Sequence, residues 1–163
     1  MNNFTLTFKL NSFEYYQFVH WANRKAFRVI IYILIFFYIL INLIDHEKII
    51  SGNYKILFIN IFPLLFGLTI LLLLTKVHLR IKSKKTFRSD KILNSDIKLI
   101  ITDDFIEETT ELSNVKIDWK EIHEIVFRKK IILVMISPIR GFIIPKRCLG
   151  NDEIFEFLKT KNR

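Results

Sequence analysis

Cysteine is almost absent from this chain of 163 residues: Cys148 stands alone. That excludes an internal disulfide framework and any cysteine-based zinc site. Three prolines and four glycines exclude collagen-like or Pro/Gly-rich low-complexity sequence, and no glycine-rich phosphate loop is present. The four histidines, His20, His46, His78 and His123, form no His-x-x-x-His pair, so a histidine-based zinc site has no sequence support. Ser51 and Ser137 are the serines nearest a glycine, and neither sits in a nucleophile elbow. Acid is the scarce charge, with 16 Asp and Glu against 25 Lys and Arg and a formal net charge of +9.

What is plentiful is apolar sequence, 51% of the chain, much of it in two blocks at 26–44 and 56–75. About twenty apolar residues at about 1.5 Å each match a hydrocarbon core of about 30 Å. The blocks therefore predict a two-helix transmembrane hairpin, with Ser51-Gly52-Asn53 turning the loop between them. The absence of a small-residue cleavage pattern after the first block argues against a signal peptide. Asn42 and Asn60 are the amides within the blocks, placed either for helix–helix bonds or for interface and backbone contacts. Pro63 and Gly67 interrupt the second block, where both residues are tolerated.

Charge sets the expected orientation. Residues 1–28 carry Lys9, Arg24, Lys25 and Arg28 against Glu14, and 45–55 balance to zero. Residues 76–88 carry Lys76, Arg80, Lys82, Lys84, Lys85 and Arg88 with no acid, and 89–163 again balance. The positive excess flanks the apolar blocks, which predicts a multi-pass inner-membrane protein with both termini cytoplasmic. The expected organisation is an N-terminal strand and interfacial helix (1–25), the hairpin (26–75), a basic juxtamembrane segment (76–89) and a cytoplasmic β-domain (90–163).

Phe4 to Leu10 alternate apolar and polar residues, the pattern of a half-buried strand. Asn11 stands three residues before Glu14, a capping-box spacing that starts a helix. This helix is rich in aromatics, Phe13, Tyr15, Tyr16, Phe18 and Trp21. Beyond Asp90 six short strands are expected: 97–101, 105–111, 115–119, 125–127, 131–136 and 142–144. The fifth, apolar on both faces, is placed centrally. Arg128-Lys129-Lys130 forms a basic hairpin tip, and Ile154, Phe155 and Leu158 have helical spacing near the end. Strand 4–10 is expected to return to this sheet, because its apolar face needs a partner.

Two segments carry a family resemblance. Val115-Lys116-Ile117-Asp118-Trp119-Lys120-Glu121-Ile122 and Phe142-Ile143-Ile144-Pro145-Lys146-Arg147 resemble the corresponding segments of the YcxB-like family. The resemblance covers the chain in layout and its motifs at about 115–147. It implies a small bacterial membrane protein with a pleckstrin-homology-like C-terminal domain, and it implies no catalytic residue. The expected fold class is thus an α+β membrane protein: the hairpin plus a small antiparallel β-domain with a C-terminal helix.

No constellation for catalysis or a cofactor emerges. Asp103, Asp104, Glu107, Glu108 and Glu111 are the densest acid group, but alternate strand residues point to opposite faces and no calcium-loop pattern accompanies them. Lys146 and Arg147 are expected to lower the pKa of Cys148, which still reads as a spectator thiol. Trp119 is expected to be a core anchor and Pro145 to end a strand. Contacts to lipid or a partner are assigned to Lys82, Lys84, Lys85, Arg88, Arg128, Lys129, Lys130, Lys146 and Arg147. The soluble part is electrically neutral, which argues against nucleic acid; oligomeric state is not encoded in any pattern. The functional expectation is a non-enzymatic membrane protein whose β-domain binds anionic lipid or a protein. The alternative is a membrane-resident immunity or protective protein acting through the hairpin.

Overall fold

The alternating segment near the N-terminus forms strand β1 (Asn3–Lys9), and the capping box behind it is complete. Asn11 Oδ1 accepts from the amides of Phe13 (3.0 Å) and Glu14 (2.9 Å), while the Asn11 amide donates to Glu14 Oε2 (2.9 Å). Satisfying these otherwise orphaned groups starts helix α1 (Ser12–Ala22). The structure, a computed structural model, describes residues 3–44, 55–150 and 152–161, apart from the side chains of 41, 42, 44, 55–62 and 64. The turn expected at Ser51-Gly52-Asn53 and the side-chain roles of Asn42 and Asn60 lie outside the described residues.

Two further helices follow, α2 (Arg24–Ile44) and α3 (Lys55–Ser89). Among the described residues no helix is long and apolar enough to cross a membrane. This corrects three expectations: the transmembrane hairpin, the membrane fold class built on it, and the multi-pass inner-membrane location with cytoplasmic termini. A crossing needs about twenty apolar residues in succession. Helix α2 opens with Arg24, Lys25 and Arg28, and from Lys76 a basic run occupies the end of α3. The protective reading depended on the same hairpin.

The chain divides into two compact units, residues 1–22 with 81–163, and residues 23–80. In the second unit, apolar side chains such as Tyr32, Phe36 and Leu74 are exposed. The Thr69 and Thr75 hydroxyls donate to the carbonyls of Leu65 and Leu71 within the helix, which satisfies them without an outside partner.

The first unit is an α+β fold. After the one-turn helix α4 (Lys91–Asn94), capped by Asp90 Oδ1 on the amides of Ile92 and Leu93, come β2 (Asp96–Thr102), β3 (Phe105–Thr109), β4 (Asn114–Asp118), β5 (Glu124–Phe127), β6 (Ile131–Ser137) and β7 (Arg140–Pro145). Helix α5 (Asp152–Thr160) closes the sequence of elements. The strands form two antiparallel sheets, β1-β2-β3-β4 and β5-β6-β7. Strand β1 therefore does return, pairing along β2 from Asn3 opposite Thr102 to Lys9 opposite Asp96. Strand β6 is central, and Ile131 to Met135 are fully buried.

Differences from the expected elements have local causes. Strand β3 stops at Thr109 because Thr110 and Ser113 bond each other's backbone in a turn, with Thr110 N to Ser113 O at 2.8 Å. Trp119 leaves the strand to open a 3-10 turn (Trp119–Glu121). In α5 the buried set is Ile154, Phe157 and Leu158; Phe155 instead meets Phe127 edge-on, with ring centres 5.2 Å apart. The core joins Leu6, Phe8 and Leu99 of one sheet, Ile132, Val134 and Ile144 of the other, Trp21 of α1 and Leu158 of α5. Gly141 is required where β7 crosses the irregularity in β6: a Cβ there would lie 2.4 Å from the Val134 carbonyl oxygen and 2.8 Å from Met135 Cα. Both neighbours are backbone and cannot step aside.

Candidate anion-binding surface

The end of α3 shows how a helix sorts its residues. Ser83 and Phe87 are buried, and the Phe87 ring lies 6.1 Å from that of Tyr15 on α1. Burial, with Asp90 nearby, raises the Tyr15 pKa above its ordinary value. Ile81, Lys84, Lys85 and Arg88 are spaced i, i+3, i+4 and i+7 and so share the opposite stripe. With Ser89 they line an open cavity of about 500 Å³. All three cations are exposed, and none pairs with an acid among the described residues. Lys82 does not line this cavity.

The other basic candidates have different fates. Arg128 and Lys129 are exposed on the β5–β6 turn, which is closed by Arg128 N donating to Ile131 O at 2.9 Å; neither pairs with a described acid. Lys130 Nζ sits 4.9 Å from the centre of the Phe13 ring, and Lys146 Nζ lies 4.9 Å from that of Phe155, both within cation–π range. The two basic segments meet through Lys146 N donating to Lys130 O at 2.9 Å.

Arg147 is committed internally. Its Nε donates to Glu14 Oε1 at 2.8 Å, and its Nη2 donates to Lys9 O at 2.6 Å and to Glu14 Oε2 at 3.3 Å. Glu14 is only 4% exposed. The guanidinium thus supplies the countercharge that lets a carboxylate be buried, and Glu14 in turn holds Arg147 protonated, above its ordinary value. Sequence reading missed this pair; the only trace of it was a Glu at the third helical position whose charge needed a partner.

The two motif residues are structural. Trp119 is half-buried: its Nε1 donates to Thr102 O at 2.8 Å, and its ring meets Phe157 edge-on at 6.0 Å. Pro145 is buried at the end of β7, opposite Ile131. Cys148 departs from expectation. Burial pushes its thiol up, outweighing the lowering effect of Arg147, and Glu14 pushes the same way.

The acid group disperses. Glu107 accepts from Asn114 Nδ2 at 2.9 Å. Glu108 faces the other way, in a cross-strand row with Leu6, Leu99 and Val115. Among the described residues no three His, Cys, Asp or Glu side chains are grouped to hold a metal ion. A second open cavity, of about 570 Å³, lies between α5 and the β2–β3 turn and is lined by Phe4, Asp103, Glu153, Phe157 and Lys161 among others. Lys161 Nζ donates there to Asp103 O at 2.8 Å.

Burial raises the Glu108 carboxyl above the ordinary carboxylate range. A proton is therefore bound more tightly in the folded than in the unfolded chain, so this group's contribution to stability falls as pH rises from the ordinary value through the raised one. Glu108→Gln is expected to melt at a higher temperature than the parent at neutral pH, with the difference closing as pH falls below the ordinary carboxylate value. Parallel melting curves for the two proteins across that range would contradict the burial argument.

The model of one family, described as YcxB-like protein, matches residues 101–161. No curated protein and no solved structure matches the chain, so the pleckstrin-homology-like character stays an implication of the resemblance.

Proposed function

Starting from a chain whose residues 101–161 match the YcxB-like family, we propose that the unit formed by 1–22 and 81–163 is a non-enzymatic binding module for a phosphate-bearing anion, the headgroup of an anionic lipid. The observation that carries this reading is the stripe Lys84, Lys85 and Arg88: three exposed cations around one cavity with no described acid to neutralise them. Unpaired cations keep their full attraction for an external anion, whereas the Arg147 guanidinium is already engaged by Glu14. The exposed Ile81 beside the stripe adds apolar surface next to the charge.

The test is co-sedimentation of the purified full chain with phosphatidylglycerol vesicles, with phosphatidylcholine vesicles as baseline. A cation near an anionic surface contributes about 1 kcal/mol, so the triple variant K84E/K85E/R88E is expected to lose the charge-dependent part of binding by at least about a hundredfold. The same part should weaken with added salt. Equal binding by parent and variant would remove the stripe from the mechanism.

A further inference from the structure

Helix α1 presents a second feature that the anion stripe does not use. Phe13, Tyr16 and His20 recur at i, i+3 and i+7, and their rings touch in sequence: 6.3 Å between the centres of Phe13 and Tyr16, and 6.0 Å between Tyr16 and His20. Glu14 and Trp21 are the buried residues of this helix, and Tyr15 faces Phe87; the aromatic ridge lies on a different face, where Tyr16 and His20 are half-buried and Phe13 is exposed. Phe13, the fully apolar member of the ridge, is 41% exposed. At its N-terminal end the ridge is met by the β5–β6 hairpin tip, where Lys130 stands over the Phe13 ring and Arg128 and Lys129 are exposed without a described acid partner.

We infer that this ridge and the hairpin tip together form a lipid-interface contact, in which Phe13 and Tyr16 enter the headgroup layer and Arg128 and Lys129 meet lipid phosphates. The inference rests on the anionic-lipid reading above and specifies the surface that distinguishes a lipid layer from a free phosphate. Three properties favour a lipid surface over an acidic protein. The ridge is a row of rings along one helix face, and its residues line neither of the two open cavities described above. It combines one fully apolar ring with two that carry polar tips, the composition that settles at the boundary between hydrocarbon and water. Its cations sit at one end and need not desolvate in a pocket.

The experiment uses the full chain carrying Phe13→Trp, a conservative change at an exposed site, and compares its tryptophan emission with that of the parent, which retains Trp21 and Trp119. Phosphatidylglycerol vesicles are expected to shift the added emission to shorter wavelength, and headgroup-proximal doxyl lipid to quench it. Soluble glycerol phosphate and polyglutamate are expected to do neither. The paired variant F13A/Y16A is expected to bind these vesicles about tenfold more weakly with an unchanged melting temperature. If vesicles bind in a manner that depends on Lys84, Lys85 and Arg88 while the emission of the introduced tryptophan stays constant, the ridge inference fails and the anion reading stands. If no charge-dependent vesicle binding occurs, both fail. A response to polyglutamate without one to vesicles overturns the lipid assignment in favour of an acidic protein. Should F13A/Y16A fold poorly, the emission and quenching of the introduced tryptophan decide alone.

Discussion

Arg147→Ala is expected to lower the melting temperature of the unit containing 1–22 and 81–163 by about 10 °C. The substitution removes three donors at once and leaves Glu14 buried with no countercharge. Breaking a buried ion pair from one side costs about 3–5 kcal/mol. The Arg147 side chain is itself about half exposed (53%), and solvent screening on that side brings the expectation to about 2–3 kcal/mol. For a unit of about 100 residues each kcal/mol moves the midpoint by about 4–8 °C, so a fall of about 10 °C sits at the cautious end. Arg147→Lys should fall between parent and alanine, because an ammonium keeps the charge but not the fork that reaches both Glu14 oxygens and the Lys9 carbonyl. Adding Glu14→Gln to Arg147→Ala should recover part of the loss, because no charge is then stranded. A parental melting curve for Arg147→Ala, followed by near-ultraviolet circular dichroism, would show that the pair is ornamental.

The second large effect is expected from deletion of residues 1–10. Strand β1 supplies seven paired positions along β2, and the deleted segment takes Leu6, Phe8 and Leu10 out of the core. Burial of such side chains contributes about 1.5–3 kcal/mol each, so the three together approach the whole net stability of an ordinary domain. The deletion also uncovers the edge of β2, a template for unwanted pairing. The truncated chain is expected to lose its cooperative transition, and the amides of β2 to lose protection from hydrogen exchange. A retained transition with protected β2 amides would mean that β1 is dispensable. This has a bearing on the family match, which begins at Ile101, inside β2. The matched segment lacks β1 and most of β2, so the folding unit is larger than the segment by which the family is detected.

The local elements were legible because their causes are local. Alternation in Phe4 to Leu10 and Val115 to Ile117 is a property of neighbouring residues, as is the Asn11–Glu14 capping box, and each produced its element. The basic run 76–88 was legible as charge, but only the helix through it brings Lys84, Lys85 and Arg88 onto one stripe and leaves Lys82 off it. The nine basic candidates looked alike in sequence. Folding separated those with free charge from Lys130, Lys146 and Arg147, which face Phe13, Phe155 and Glu14.

The strands, the helix starts and the division of charge along the chain follow from residue order alone, since propensity, periodicity and capping act over a few residues. The apolar blocks at 26–44 and 56–75 were equally plain as composition, yet the transmembrane reading drawn from them is not supported among the described residues. A crossing depends on uninterrupted length and surroundings, not on local composition alone. It took the folded arrangement to pair β1 with β2 across helices α1 to α4, to point Glu108 inward among apolar neighbours, and to close Arg147 on Glu14 from 133 residues away. Each of these depends on which distant surfaces meet. A buried charge reveals its partner only when the chain has brought the two together.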